Sequence, residues 1–141
     1  MVARRNVVAV VEDDPILREA VKALLTGCGY TVRTYASAGE FLGAAAASQP
    51  ACIVTDVELG EISGVEMARE LADCGIEVPI IFMTGSSDPE VRRQAMVLGC
   101  VAYLNKPFPP QRLIELVEAV TQDQCARADQ RRIIAARDTL H

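Results

Sequence analysis

A chain of 141 residues is long enough to bury one good hydrophobic core and too short for two. Half of the residues are hydrophobic, 23% are charged and the net charge is -5, which excludes disordered, collagen-like and disulfide-scaffold classes and argues against an electrostatic nucleic-acid surface. No apolar run approaches the roughly 18 residues of a bilayer span, and the opening MVARRNVVAVVEDD turns acidic where a signal peptide would stay apolar; the expectation is a cytoplasmic domain with neither membrane contact nor direct nucleic-acid binding.

VVAVV (7–11) predicts the first strand. Asp14-Pro15 then sets a capping side chain before a proline at the first helical position, and Leu17, Val21, Leu24 and Cys28 recur at helical spacing as one apolar stripe. TVRT (31–34) alternates like an edge strand, Ser37 and Glu40 have capping-box spacing, and Ala44–Ala47 is strong helix former. CIVT (52–55) predicts the third strand, Ser63 and Glu66 a second capping box, PIIFM (79–83) the fourth strand, Asp88-Pro89 another helix start and VAYL (101–104) the fifth strand. A fifth helix begins near Pro110 and buries Leu113, Val117 and Val120. The first, third and fourth runs are almost wholly apolar, as in parallel strands covered on both faces. The expected class is therefore α/β, a doubly wound parallel sheet.

One domain is expected over residues 1–121. Residues 122–141 contain no Gly or Pro and set four Arg against three Asp, which fits a solvated helical extension. A partner or self-association helix using Ile133, Ile134 and Leu140, giving a homodimer, and simple disorder remain open.

Ligands of an open parallel α/β sheet bind beyond the carboxyl ends of the strands. Those positions here carry Glu12, Asp13 and Asp14; Asp56; Thr84, Gly85 and Ser86; and Asn105, Lys106 and Pro107. Carboxylates converging from neighbouring strands repel unless a cation sits among them, and an oxygen-only set suits Mg²⁺. A carboxylate beside such an ion is also a competent nucleophile toward a phosphoryl group. Lys106, one of only two lysines, would then act as a point charge on phosphoryl oxygens, the Thr84 hydroxyl would donate to one of them, and Gly85 would leave room for approach. The only histidine is the terminal His141, which removes Ser-His, Cys-His and His-rich zinc sites. Five scattered cysteines, Cys28, Cys52, Cys74, Cys100 and Cys125, read as reduced and mostly buried thiols.

VVAVVEDDPILR, CIVTDVELGEISGVE, PIIFMTG and VAYLNKPF, in this order and spacing, resemble the receiver domain of two-component response regulators over about residues 5–121. GYTVRTYASAGEFL and IIFMTGSSD look most like the nitrogen-fixation-regulator branch. The resemblance implies the flavodoxin-like strand order 2-1-3-4-5. It implies Asp56 as phosphoacceptor, Glu12 and Asp13 as the Mg²⁺-binding pair with the Glu58 backbone carbonyl and Asp56 completing the shell, Thr84 as switch hydroxyl and Lys106 as phosphate-binding lysine. Tyr103 matches an aromatic residue that reorients when Thr84 moves, and Lys106-Pro107 a peptide bond usually cis in the family.

Partners implied by the resemblance are a sensor histidine kinase or a His phosphotransfer protein, and a downstream protein the sequence does not name. Such a domain catalyses its own aspartyl phosphorylation and dephosphorylation without being a conventional turnover enzyme. This sequence departs from the family in having Leu59-Gly60 where Met-Pro is usual, and in placing Glu58 and Glu61 beside Asp56. It also ends without the DNA-binding domain usual in that branch, as a stand-alone receiver or part of a longer chain would.

Taken alone, Glu12-Asp13-Asp14 would be a solvated acidic face; the strand-end position with Asp56 and Lys106 reverses that reading. Asp14 reads as a helix cap, Thr84 alone as a residue bonding its own backbone, and Tyr103 either as core packing or as a moving residue. The rival functions are a receiver-like interaction module that signals without phosphate, an aspartate-dependent phosphohydrolase and a flavin-binding domain. Glu58 disfavours the second, since such enzymes usually carry Asp two residues after the nucleophile. The acidic first loop disfavours the third.

Overall fold

The computed structural model describes residues 7–60, 62–85, 89–97 and 102–122. Strands and helices alternate: β1 (Val7–Val11), α1 (Pro15–Gly27), β2 (Thr31–Tyr35), α2 (Ala38–Ser48), β3 (Cys52–Asp56), α3 (Gly64–Asp73), β4 (Ile80–Thr84), α4 (Pro89–Val97) and β5 (Ala102–Asn105). A further helix, α5, covers residues 110–122. All strand pairs are parallel and the order is β2-β1-β3-β4-β5, the flavodoxin-like arrangement expected from the resemblance. Every residue of β1, β3 and β4 is buried, whereas β2 at the edge is part exposed.

The two-residue period of the strands divides the interior into two layers. Ala9, Val11, Ile53, Ile80 and Phe82 face Phe41 of α2 and Val65, Met67 and Leu71 of α3. Val8, Val10, Val54, Ile81 and Met83 face Val21 and Leu25 of α1 and Leu113 and Val117 of α5. Consecutive residues thus serve opposite cores, and no position of β1, β3 or β4 is left for a polar outer face.

Local chemistry sets the helix ends. Asp14 accepts from the Ile16 amide at 2.9 Å with Pro15 at the first helical position. Ser63 accepts from the Glu66 amide at 3.0 Å and Ser37 from the Glu40 amide at 3.1 Å, while Glu40 reaches back to the Ala36 amide at 2.9 Å. That last bond falls one residue before the cap, a displaced form of the capping box. The Asp88 cap lies outside the described residues, as do Val101, Cys100, Cys125 and the extension beyond residue 122.

Three expectations change. The fourth strand begins at Ile80, not Pro79, although the Pro79 carbonyl still accepts from Ile53 at 2.9 Å; without an N–H, proline contributes only half a ladder position. The α1 stripe buries Val21 and Leu25, with Leu17 and Leu24 partly buried, and leaves Cys28 exposed. Cys74 is exposed as well, so only Cys52 of the described thiols is buried. Both exposed cysteines stand at helix C-caps followed by a left-handed glycine, Gly29 at φ 97° and Gly75 at φ 74°. In each case the amide after the glycine closes back on the helix, Tyr30 to Leu25 and Ile76 to Leu71, a Schellman turn that carries the cap residue outward and drives the following apolar residue inward.

Candidate functional site

The carboxyl ends of β1, β3 and β5 bring Glu12, Asp56 and Lys106 together. Lys106 Nζ donates to Glu12 Oε1 at 2.8 Å and to Asp56 Oδ2 at 2.6 Å. Asp56 Oδ1 accepts from the Glu58 amide at 2.9 Å. Asp13 is exposed, and one oxygen each from Glu12, Asp13 and Asp56 fall within 4.8 Å of one another.

The two acids that the resemblance pairs have different surroundings. Glu12 is fully buried, its Oε2 3.4 Å from the Asp14 amide and its backbone carbonyl accepting from Arg18 at 2.9 Å. Burial pushes its carboxyl up to about 7, reinforced by a hydrogen bond with Asp13 and the charge of Asp56, while Lys106 pulls the other way. Burial would lower Lys106, but its hydrogen bonds with Asp56 and Glu12 outweigh that and hold it above its ordinary value. The ammonium is therefore charged at neutral pH and only part exposed, where a point charge is strong.

The backbone frames this cluster. The Lys106 amide donates to the Thr84 carbonyl at 2.7 Å, and the Lys106-Pro107 peptide is cis as expected. Thr84 is fully buried at the end of β4. Gly85 is exposed, with open space where a Cβ would lie. Behind Asp56, the Gly64 amide donates to the Val57 carbonyl at 2.8 Å, and a Cβ on Gly64 would overlap the Asp56 carbonyl oxygen. The loop after Asp56 turns at Gly60, φ 71°, a backbone state that suits glycine, and anchors itself by burying Leu59. Glu58 is exposed, and Glu61 lies outside the described residues.

Two supporting residues escaped sequence reasoning. Arg18 left only a weak signal, a cation in the second turn of the helix that follows the acidic segment. Gly64 left one as the glycine directly after a capping serine. Tyr103, by contrast, stands out in the sequence: it packs on the α2/α3 layer, with its hydroxyl buried and lacking a hydrogen-bond partner among the described residues.

The three convergent carboxyls fit a hard divalent cation: the donors are oxygens only, they lie within reach of a single ion, and the buried Glu12 carboxyl has Asp13 and Asp56 beside it, a crowding that a cation would relieve. Next to this cleft, an apolar hollow of about 580 Å³ runs between α1 and the segment after β5, lined by Ile16, Leu17, Leu24, Lys106 and Phe108. Ile16 at its rim is 81% exposed. No helix among the described residues is long and apolar enough to cross a membrane.

Comparison with known proteins agrees with this geometry. The family profile of the response regulator receiver domain matches residues 8–118. Nodulation protein W of Bradyrhizobium diazoefficiens is 37% identical over 131 residues, covering 93% of this chain and 58% of that protein. Transcriptional regulatory protein FixJ of Azorhizobium caulinodans is 39% identical over 112 residues, 79% of this chain and 53% of that one. The chain thus spans little more than half the length of these relatives. Among solved structures, FixJ-N superimposes with a TM-score of 0.77 at 34% identity, over 82% of this chain and 93% of that one. Full-length FixJ from B. japonicum gives a TM-score of 0.81 at 30% identity, over 88% of this chain and 61% of that one. With matched residues reaching across all five strands and the acidic cleft, the chain belongs to the response regulator receiver domain family, in its FixJ-type branch.

Proposed function

We propose that this receiver takes a phosphoryl group from a phosphohistidine onto Asp56 and switches a protein-binding surface in response. The reading is supported above all by the Lys106 ammonium within hydrogen-bond distance of both Glu12 and Asp56, a positive charge suited to the oxygens of a phosphoryl group on Asp56. An Asp56 carboxylate oxygen bonds to phosphorus while the phosphorus–nitrogen bond of the donor breaks. The electron pair leaves with the imidazole, which takes its proton from water. Lys106 and the Thr84 hydroxyl neutralise charge on the transferring oxygens, and the Glu58 amide, already bonded to Asp56 Oδ1, orients the nucleophile.

Glu12, Asp13, Asp56 and the Glu58 carbonyl would hold Mg²⁺, which when bound supplies charge neutralisation between nucleophile and phosphoryl group. The donor is a sensor histidine kinase or a His phosphotransfer protein, whose helix would lie against Ile16 and the hollow between α1 and Phe108. Once Asp56 is phosphorylated, Thr84 moves toward the new charge and the space it vacates favours the inward Tyr103 ring, which is already half-buried here, shifting the surface of α4, β5 and α5.

Incubation with Mg²⁺ and acetyl phosphate tests the assignment. Intact mass should rise by one phosphoryl group in the wild type and stay unchanged in Asp56→Asn. A mass gain that Asp56→Asn retains would overturn the site.

A further inference from the structure

Two neighbouring arginines on α4 meet different partners. Arg93 is gripped by Glu90 through two hydrogen bonds, at 2.6 and 3.0 Å. Arg92 instead places its Cζ 5.8 Å from the centroid of the Tyr103 ring on β5. That ring is half-buried against the α2/α3 layer, and its hydroxyl is buried with no hydrogen-bond partner among the described residues. An unpaired buried hydroxyl opposes the inward position, because in water it would be bonded. Apolar packing and the cation on the ring face must therefore hold the ring where it is.

The register links this ring to Thr84. Phe82 pairs with Tyr103 and Thr84 with Asn105. Phe82 and Tyr103 serve the same layer, so by the two-residue period Thr84 is directed to that layer as well.

We infer that Arg92 is a positioning residue that clamps Tyr103 inward and so biases the receiver toward the arrangement in which Thr84 engages a phosphoryl group. Its second half rests on the proposed Thr84 and Tyr103 coupling; its first half concerns the ring alone. An exposed cation over a tyrosine face is worth about a two- to fivefold change in a two-state population. By linkage, the same factor appears in the affinity of any ligand that selects the inward state.

Aromatic-ring NMR of the full chain reads the first half, without phosphate or metal, with Tyr103→Phe identifying the Tyr103 signals among those of Tyr30 and Tyr35. Arg92→Gln should shift the ring toward the outward population by about two- to fivefold, and Arg92→Lys by less, since a lysine keeps the charge but not the planar stack. Adding Tyr103→Phe to Arg92→Gln should restore the inward position, because no hydroxyl is then left unpaired. Simple loosening of the helix would not be rescued in this way. Unchanged Tyr103 signals in Arg92→Gln overturn the clamp.

A second arm titrates beryllofluoride with Mg²⁺. Arg92→Gln should bind about two- to fivefold more weakly than wild type, and equal affinity despite a displaced ring overturns the link to the phosphoryl site. If wild type itself ignores beryllofluoride while the ring responds to Arg92→Gln, the receiver reading fails and the clamp stands. If wild type responds and the ring does not move, only the clamp falls.

Discussion

The Lys106 ammonium lies 2.6 Å from Asp56 Oδ2 although fifty positions separate the two residues. The relationship exists because β3 and β5 flank β4 in one parallel sheet, so that their carboxyl ends open on the same side. Neither residue touches the other through any local motif. Each is placed by its strand, and the strands are placed by apolar side chains that face two cores.

Lys106→Met keeps much of the side-chain length and removes the charge. Loss of a preorganised charged donor from a phosphoryl site costs about 100-fold or more in rate. Phosphorylation of Asp56 by acetyl phosphate, followed by intact mass against time, should slow by at least that factor. A rate within about threefold of wild type would remove the ammonium from the chemistry.

Glu12 gives the protein a pH signature. An unfolded glutamate titrates near 4.5, whereas the buried Glu12 carboxyl is pushed up to about 7. Between those values only the folded state holds the proton, so the contribution of Glu12 to stability falls as pH rises through this interval, by on the order of 2 kcal/mol. Urea unfolding without divalent ions should show wild type losing stability relative to Glu12→Gln between pH 5 and pH 8. Added Mg²⁺ should stabilise wild type more at pH 8 than at pH 5, because the ligand oxygen must be deprotonated. A wild-type minus Glu12→Gln difference that is flat with pH would contradict the buried carboxyl.

Glycines at two positions should respond oppositely to alanine. A Cβ on Gly64 would run into the Asp56 carbonyl oxygen and lie 3.2 Å from the Phe82 ring. Gly64→Ala should therefore cost about 1–3 kcal/mol and displace the Asp56 end of β3, slowing the proposed phosphorylation as well. Gly43, inside α2, meets nothing within 4 Å at the Cβ position, so Gly43→Ala should stabilise by about 0.4–1 kcal/mol. Chemical denaturation of both variants measures the contrast, and equal midpoints would remove the steric reading of Gly64.

The thiols should separate by reactivity. Burial pushes Cys52 up to about 12 and the residue is fully enclosed in β3, while Cys28 and Cys74 are exposed. Alkylation of the native protein at pH 8, mapped by peptide mass, should label Cys28 and Cys74 and spare Cys52 until denaturant is added. Labelling of native Cys52 at a rate comparable to Cys28 would show that β3 opens far more readily than its packing implies.

Much of this arrangement was legible in the chain because its strands are buried on both faces. A run such as VVAVV has no solvated side to confuse the reading, and the polar residues that end each run stand out as a group. Asp56, Thr84 and Lys106 stand out for that reason, at the strand ends where the structure has them. Glu12 and Asp13 looked equivalent in sequence, yet one is enclosed and the other exposed, because neighbouring residues at the strand end diverge to opposite surroundings. The exposure of Cys28 has the opposite origin: helical spacing alone extends the α1 stripe to it, while the helix ends with Cys28 as its cap and Gly29 turns the chain away. Arg18 on the Glu12 carbonyl and Arg92 over Tyr103 depend on how a helix is rotated against the sheet, a tertiary quantity that no local pattern encodes.

Tyr103 and Leu104 are adjacent on β5, and they enter different layers, Tyr103 that of α2 and α3 and Leu104 that of α1 and α5. A substitution at one of these neighbours therefore disturbs one core and leaves the other in place, so Tyr103 can be altered without loosening the packing of α1 and α5 around Leu104.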